Sequence, residues 1–395
     1  MLKKLQIMQK KPQTRNNKRL KTHKWGKSEF IPAFCFSWNF AILPDMGLLK
    51  LRITAMTYCP GETLIISFEP LEGPKPDYLA GQFLTLVFEE KGKELRRSYS
   101  LCSSPDVDEP LSIAIKRVEN GAISRLLHHK TAVGDLLTAL EPNGQFSYLP
   151  EHEIRRTVFL FAAGVGITPL FSILKTALIR EKHSKVILIY SNRSAEGTLF
   201  YAELNALQAQ YPDRFKLIYL FSQSKNLLMA RLNGQLIERI VAEHLEFEKE
   251  DSLLYTCGPV DYMDVCRITL LNLGFDRTQI KRETFVLPED EADEDDMTEK
   301  KVRDTNTYTV ILNYRGKVHE IEVPYYQSIL DAALEQKIDL PYSCHAGICS
   351  TCTANCIRGH VEMDYNEVLM DDEIAAGRVL VCTGHPTEDG TTLIW

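Results

Sequence analysis

Four cysteines near the end of the chain have a spacing that suits an iron–sulfur centre. Cys344, Cys349 and Cys352 follow the pattern C-x4-C-x2-C, and Cys382 comes about thirty residues later. Three thiolates from one tight loop can reach two irons, and Gly347 lets the backbone turn close to the sulfides. A zinc site or free thiols are the alternatives, but zinc knuckles prefer paired C-x2-C units. The pattern therefore favours a [2Fe-2S] cluster with these four cysteines as metal ligands.

The remaining cysteines argue against a disulfide scaffold. The chain has ten cysteines, and those outside the cluster pattern are scattered rather than evenly spaced. Cys356, four residues past Cys352, falls on a predicted strand, where a buried core thiol is the simpler interpretation. One metal site and scattered thiols are typical of a reducing compartment, so we expect a cytoplasmic protein.

A second group of residues could bind a flavin. Arg97, Tyr99 and Ser100 lie in the sequence R-x-Y-S. A guanidinium can hold a diphosphate, an aromatic ring can stack on the isoalloxazine, and a hydroxyl can reach flavin N5. Gly121 and Ser124 follow at a predicted helix start, where backbone N–H groups and a hydroxyl suit a phosphate. Tyr99 could instead be a residue of the barrel core.

A third group could bind a nicotinamide dinucleotide. Gly164, Gly166, Thr168 and Pro169 follow a predicted strand and open a predicted helix. The glycines allow close approach, proline suits a first helical turn, and the helix N-terminus attracts a diphosphate.

Two later loops of the same region complete this predicted nucleotide site. Cys257, Gly258 and Pro259 follow a later strand. Arg193 follows the second strand, where such domains bind the adenosine ribose, and a guanidinium there favours the 2′-phosphate of NADPH. Glu196 is close by and would suit NADH, and Arg193 could be a surface charge.

The elements that must position these residues change character along the chain. Residues 48–152 show short alternating runs with turn clusters between them, which predicts an antiparallel β-barrel interrupted by one helix at 122–129. Residues 153–287 alternate strands and helices, which predicts a doubly wound parallel sheet. Residues 288–304 are an acidic linker, and 305–395 begin with a hairpin followed by a helix near 328–337. We predict three domains in all: a flavin barrel, an α/β nucleotide domain and an α+β domain.

The motifs resemble two known families. The region of Cys344 to Cys382 resembles a plant-type ferredoxin of the β-grasp fold, and residues 48 to 285 resemble the ferredoxin–NADP reductase superfamily. The latter resemblance implies FAD as cofactor and a hydride-transfer pocket formed by Ser100, Cys257 and Glu283. It also implies an aromatic residue, here Phe285, against the flavin.

The order of the three domains resembles reductase components of multicomponent oxygenases, most of all the phenylacetyl-CoA epoxidase reductases. The resemblance implies an oxidoreductase that passes electrons from NADPH through FAD to the cluster and on to an oxygenase component. Reduction of another acceptor, such as a hybrid-cluster protein, a ring-hydroxylating oxygenase or a desaturase, is the alternative within this class. A non-catalytic redox sensor is the alternative outside it.

Charge and hydropathy exclude other classes of protein. The net charge of −7 argues against nucleic acid as the main partner. The chain has 44% hydrophobic and 25% charged residues, and its longest apolar stretches fall short of the ~18 residues needed to cross a membrane. Residues 1–47 are basic to about residue 27 and aperiodic, so we expect a tail or sequence translated upstream of the true start.

Overall fold

The computed structural model describes residues 48–90, 93–226, 229–285 and 305–395. The tail 1–47 and the acidic segment 288–304 lie outside these residues, so the predictions made for them are not addressed by the structure. The described residues form three large sheets, one in each of three successive stretches of chain, and a two-stranded sheet in the third stretch.

The first stretch forms a six-stranded antiparallel sheet in the order β4-β3-β6-β1-β2-β5. An isolated bridge between Leu101 and Ile113 closes it into a barrel around an apolar core. The barrel predicted from the alternating pattern is therefore confirmed. Its elements are β1 (Leu49–Cys59), β2 (Thr63–Pro70), β3 (Phe83–Glu90), β4 (Lys93–Ser100), β5 (Leu111–Lys116), α1 (Ala122–His129) and β6 (Leu136–Ala139).

The second stretch forms a five-stranded parallel sheet in the order β11-β10-β7-β8-β9. Its central strand β7 is buried along nearly its whole length, as a parallel strand covered on both faces must be. The helix predicted from residue 169 begins two residues earlier. The elements are β7 (Thr157–Ala163), α2 (Ile167–Arg180), β8 (Lys185–Asn192), α3 (Tyr201–Gln210), β9 (Phe215–Phe221), α4 (Gly234–His244), β10 (Ser252–Cys257), α5 (Val260–Asn272) and β11 (Ile280–Glu283).

The third stretch forms a mixed five-stranded sheet in the order β13-β12-β18-β14-β16, with a separate β15-β17 pair. The predicted hairpin is present, and its two-residue turn has positive φ at Arg315 and Gly316. The elements are β12 (Thr307–Tyr314), β13 (Lys317–Pro324), α6 (Ile329–Glu335), β14 (Thr353–Arg358), β15 (Val361–Met363), α7 (Asp371–Ala375), β16 (Arg378–Leu380), β17 (Gly384–Pro386) and β18 (Thr391–Ile394).

The barrel and the parallel sheet share one apolar core, whereas the third unit has a core of its own. Tyr148 of the barrel lies in the shared core, with the Arg156 guanidinium 4.8 Å from its ring centroid. Arg156 also pairs with Glu181, whose side chain is wholly buried. The first two units are thus fixed to each other by burial, because separating them would expose this core and would remove the Tyr148 ring and the Leu149 carbonyl oxygen from the Arg156 guanidinium.

Candidate functional site

Three of the predicted pocket residues meet where the barrel faces the parallel sheet. The register of β10 and β11 places Cys257 directly opposite Glu283. Ser100, the last residue of β4, donates its hydroxyl to Glu283 Oε2 at 3.0 Å across the domain boundary. A carboxyl, a thiol and a hydroxyl predicted from distant parts of the sequence therefore occupy one place.

The environment of this group changes its acid–base chemistry. Withdrawal from water raises the pKa of Glu283 to about 8; the Ser100 hydrogen bond opposes this rise and the neighbouring charge of Cys349 adds to it. Burial, reinforced by Glu283, raises the pKa of Cys257 well above its usual range. At neutral pH the pocket therefore holds a protonated carboxyl and a neutral thiol, so no negative charge faces a hydride donor.

The flavin signature lies on β4, which divides its side chains between two faces. Tyr99 packs partly against the barrel core, and burial raises its pKa. Arg97 is exposed, and its guanidinium donates to the Arg96 carbonyl oxygen at 2.7 Å. An exposed guanidinium beside a half-buried ring fits a flavin diphosphate and ring system. The alternative, in which Tyr99 is a residue of the barrel core, accounts for only one side of its ring.

The turn before α1 is less open than its sequence implied. Gly121 is the residue preceding the helix. The buried Ser124 hydroxyl accepts from the Val118 backbone N–H at 3.2 Å and lies 3.4 Å from the Gly121 carbonyl oxygen. This hydroxyl therefore closes the turn, and the backbone N–H groups are the more available phosphate ligands. A phosphate role for both residues stays a prediction.

The loop between β7 and α2 has the shape of a phosphate cradle. Gly164 has φ +55°, and a Cβ there would meet no heavy atom within 4 Å, so its surroundings are open. Gly166 is the opposite case, since a Cβ would lie 2.2 Å from the Cys257 carbonyl oxygen. Thr168 donates to the Val165 carbonyl oxygen at 2.9 Å, and Pro169 is buried in the first turn of α2. Open space at Gly164 and close packing at Gly166 fit a dinucleotide diphosphate.

The remaining predicted nucleotide residues surround this cradle. Gly258 packs against Ala163 so closely that a Cβ would lie 2.9 Å from the Ala163 side chain, and Pro259 is exposed. Arg193 is exposed just beyond β8, and its carbonyl oxygen accepts from the Gln223 backbone N–H at 3.1 Å. Phe285 is 43% exposed, which leaves its ring available for stacking.

The four predicted cluster ligands converge in the third unit. The Cys382 thiol interacts with the thiols of Cys344 and Cys352, and the Cys344 thiol interacts with that of Cys349. Backbone N–H groups of the loop point at sulfur: that of Cys344 at Cys349 Sγ and that of Ala346 at Cys344 Sγ, both at 3.4 Å. This donor set fits a [2Fe-2S] cluster, whose potential such N–H groups help to set.

In the described residues the four cysteines are not arranged around a single ion. Within the described part of the chain, no three or more His, Cys, Asp or Glu side chains are arranged to hold a single ion. A [2Fe-2S] cluster has no such requirement, because its four thiolates are divided between two irons. Gly347, with φ +76°, approaches so closely that a Cβ would lie 2.6 Å from the Tyr365 carbonyl oxygen. Only glycine suits that loop position.

Cys356 does not join the cluster. It lies on β14 as expected, but it is only partly buried against the third core rather than fully buried. Its thiol is within hydrogen-bonding distance of the carbonyl oxygens of Arg358 and Gly359. The structure thus agrees with a non-ligand role.

Sequence reasoning missed a set of residues that joins the cluster unit to the barrel. Arg96 is almost buried and its Cζ lies 3.9 Å from the Tyr342 ring centroid. Its guanidinium also donates to the Tyr342 carbonyl oxygen at 2.9 Å and pairs with Asp339 at 3.3 Å. The hydroxyl of Ser343, next to the first cluster cysteine, is hydrogen-bonded to the Thr85 hydroxyl at 3.1 Å and to the Ser98 hydroxyl.

The parallel sheet holds the cluster unit through another arginine. Arg282, next to Glu283, pairs with Glu367 at 2.5 Å and with Asp264 at 3.1 Å. An outer pair, Arg277 with Asp371 at 2.8 Å, is mostly exposed. The available signal was positional, since Arg96 and Arg282 each adjoin a predicted site residue in a strand and must therefore point to the opposite face.

Taken together, the barrel, the parallel sheet and the cysteine-bearing unit define a three-domain electron-transfer flavoprotein. Family models match all three: the oxidoreductase FAD-binding domain at residues 50–148, the oxidoreductase NAD-binding domain at 160–267, and the 2Fe-2S iron-sulfur cluster binding domain at 312–387.

Relatives that align along most of their length identify the kind of reductase. The chain is 36% identical to a component of the 1,2-phenylacetyl-CoA epoxidase of Escherichia coli K12, over 78% of this chain and 85% of that protein. It is 32% identical to the 3-ketosteroid-9-alpha-monooxygenase ferredoxin reductase component of Rhodococcus rhodochrous, over 79% and 86%. The chain belongs to this family of flavin- and [2Fe-2S]-dependent reductase components of oxygenase systems.

Solved structures share the architecture. Phthalate dioxygenase reductase matches with a TM-score of 0.53 and 25% identity, over 88% of this chain and 97% of that one. An intact type IV self-sufficient cytochrome P450 monooxygenase matches with a TM-score of 0.64 and 19% identity, and the chain spans 41% of its length. The second likeness concerns the fold alone.

As for membranes, no helix in the described ranges combines the length and apolarity that a span requires.

Proposed function

We propose that this protein takes hydride from NADPH onto FAD, passes electrons singly to its own [2Fe-2S] cluster, and reduces an oxygenase component of the phenylacetyl-CoA epoxidase type. The observation that carries the proposal is the position of Glu283. It accepts a hydrogen bond from Ser100 of the flavin signature, faces Cys257 of the nucleotide domain, and adjoins Arg282, which pairs with Glu367 of the cluster unit.

Each pocket residue has a distinct task in this proposal. Bound flavin would supply the conversion of a two-electron donor into single-electron steps. Ser100 would hold its hydroxyl towards the hydride-accepting edge, and Glu283 would fix that hydroxyl. Cys257 would support the nicotinamide as an uncharged thiol, and Phe285 would cover the flavin face that the nicotinamide takes until the nicotinamide displaces it.

The other site residues bind rather than react. Arg97 and the turn of Gly121 and Ser124 would hold the flavin diphosphate, with Tyr99 against the ring. The nucleotide diphosphate would lie on the N-terminus of α2, bounded by the loop that follows β10. Arg193 would hold the 2′-phosphate that distinguishes NADPH from NADH.

The proposed domain limits are 48–152 for the flavin barrel, 153–287 for the nucleotide domain and 305–395 for the ferredoxin domain. They follow the change of strand pattern and the three separate sheets. The cysteines of the described residues are all unpaired thiols, which supports the proposed reducing cytoplasm.

Anaerobic reduction tests the internal part of this proposal. Addition of NADPH to the purified protein should bleach the flavin and then give the electron paramagnetic resonance signal of a reduced [2Fe-2S] cluster. A cluster that stays oxidised while the flavin is fully reduced would contradict the proposed sequence of electron transfer. Poor steady-state reduction of cytochrome c would instead favour the redox sensor.

Reconstitution tests the acceptor. Oxygenase components of phenylacetyl-CoA epoxidase and of 3-ketosteroid 9α-monooxygenase, each supplied with this reductase and NADPH, should differ in product formed per NADPH oxidised. Coupling with the epoxidase alone supports the proposal. Coupling with the ketosteroid enzyme alone would identify a reductase for another acceptor.

A further inference from the structure

The acidic residues of this protein are concentrated in its ferredoxin domain. Residues 305–395 contain thirteen Asp and Glu against five Lys and Arg, whereas residues 48–285 are nearly balanced, with twenty-nine against twenty-eight. The ferredoxin domain therefore attracts basic surfaces, and the rest of the described chain has no comparable excess.

The cluster site opens to only one side of this domain. Cys352 and Cys382 are 2% and 6% exposed, whereas Cys344 and Cys349 are partly exposed. Because electron tunnelling weakens steeply with distance, an acceptor has to approach the edge formed by Cys344 and Cys349. The flavin pocket lies on this side of the domain, because Ser343, next to Cys344, is hydrogen-bonded to Ser98 of the flavin signature, and Arg282, next to Glu283, pairs with Glu367.

The residues around this edge form what we call the exit face: Asp339, Tyr342, Ser343 and Glu367. Two carboxylates and an aromatic ring are met here by arginines, Arg96 over Tyr342 and Arg282 on Glu367. The exit face is therefore covered by the positively charged side chains of Arg96 and Arg282. The Glu367 and Arg282 side chains are 19% and 21% exposed.

We infer that the exit face serves two complexes in turn: the internal one seen here, in which the flavin side is the electron donor, and an external one with an acceptor protein whose docking surface is basic. The inference rests on the proposed function and adds the chemistry of the partner. Because the same edge of the cluster takes part in both complexes, the ferredoxin domain must break its contacts with Arg96 and Arg282 before it can deliver an electron to the external acceptor. In that delivery the reduced cluster loses one electron and the acceptor gains it, with no bond made or broken.

A reversible tether tests this exclusivity. Arg277 and Asp371 pair at the outer margin, and their side chains are 56% and 82% exposed. In the Arg277→Cys/Asp371→Cys double variant, a short bifunctional methanethiosulfonate should hold the domains docked until a thiol reductant releases them. Each single variant, treated identically, controls for reaction at Cys59 and Cys356, which are partly exposed.

Ferricytochrome c, a small basic protein, is the probe acceptor. We expect NADPH to reduce the cluster of the tethered protein while cytochrome c reduction falls at least tenfold and returns on release. Undiminished cytochrome c reduction by the tethered protein would overturn the inference. So would a tethered cluster that NADPH cannot reduce; the same assay on untethered protein tests the proposed function separately.

Charge variants separate the two complexes further. Arg282→Gln should slow flavin-to-cluster transfer without lowering kcat/KM for cytochrome c, because Arg282 would belong to the internal complex alone. Glu367→Gln should lower both and weaken the salt dependence of cytochrome c reduction. A Glu367→Gln protein with unchanged kcat/KM and salt dependence would contradict the inference.

Chemical cross-linking tests where cytochrome c binds without relying on the catalytic rate. Carbodiimide coupling of the unmodified protein to cytochrome c, followed by peptide mapping, should join Glu367 and Asp339 to cytochrome c lysines. Coupling confined to carboxylates outside the exit face would place the external partner elsewhere and overturn the proposal.

Discussion

At the scale of single residues, Glu283 illustrates how burial assigns a chemical role. A carboxyl group ordinarily ionises near pH 4, but this one keeps its proton to about pH 8 because it is withdrawn from water. Ser100 donates a hydrogen bond to it and thereby limits the rise. The pocket thus combines a fixed geometry with an absence of charge.

This shift gives a pH prediction. Below about pH 8 Glu283 is protonated and neutral; above it the carboxylate repels incoming hydride, so the rate of flavin reduction by NADPH should fall about tenfold per further pH unit. Stopped-flow absorbance across pH 6–10 would measure the profile. Glu283→Gln is neutral throughout and should lose the alkaline fall, whereas an unchanged profile in this variant would assign the titration to another group.

The cluster ligands give a second prediction at this scale. Cys349→Ser should abolish the visible absorbance and the electron paramagnetic resonance signal of the cluster but leave FAD bound, because flavin and cluster lie in different domains. Flavin reduction by NADPH should persist while cytochrome c reduction collapses. Cys356→Ser is the matched control and should retain the cluster. A normal cluster in the Cys349 variant would show that the ligand assignment is wrong.

The choice between NADPH and NADH gives a third prediction at this scale. Arg193→Ala should raise KM for NADPH about ten- to a hundredfold and KM for NADH much less, since a charge-assisted phosphate contact contributes about 1.5 to 3 kcal/mol. Arg231→Ala, an exposed arginine of the same domain, is a suitable control. Equal KM values for the two nucleotides in the unmodified protein would contradict the preference for NADPH.

Residue types and spacing were sufficient to predict these groups, but they could not reveal the partners of Arg96 and Arg282. The cysteines, the R-x-Y-S sequence and the glycine turns are local patterns with chemical meaning. Arg96, by contrast, meets a carbonyl oxygen 246 residues away. Nothing in the sequence around either partner specifies such a contact.

At the scale of elements, the loop between β7 and α2 couples two strands to one binding site. Gly166 lets the start of α2 lie against the end of β10, where Cys257 is. Strand and helix types were predictable here because short buried runs alternate with longer helical stretches. The helix start was two residues off because the turn itself is helical, with a 3-10 segment at Gly164–Gly166.

This packing predicts the effect of one methyl group. Gly166→Ala would place a Cβ 2.2 Å from the Cys257 carbonyl oxygen, so β10 and α2 must separate. We expect a loss of about 1–3 kcal/mol in unfolding free energy and much weaker NADPH binding. Gly197→Ala is the control, because its Cβ would have ordinary contacts at 3.9 Å. Unaltered thermal unfolding and NADPH affinity in Gly166→Ala would contradict the close approach.

At the scale of the whole molecule, the order and type of the three domains followed from the sequence, and their docking did not. Short runs of alternating apolar and polar residues identify the barrel, and the alternation of strands with helices identifies the doubly wound sheet. The docked arrangement depends on a few long side chains that each domain could also present to water.

The N-terminal residues give a prediction at this scale. All of the proposed site residues lie between positions 97 and 382. Removal of residues 1–45 should therefore leave FAD content, cluster content and NADPH-dependent cytochrome c reduction unchanged. Comparison of the purified truncated and full-length proteins would check this, and a large loss of turnover would show that the tail has a role in the enzyme.

In the described residues, strands of the ferredoxin sheet pair only with one another, so no backbone ladder joins that domain to the others. Covalent attachment within one chain therefore serves mainly to set an effective concentration of one domain for the other. A ferredoxin domain supplied as a separate polypeptide would meet the same arginines by diffusion. Its reduction would then depend on protein concentration and saturate only when that concentration approached the one that covalent attachment supplies.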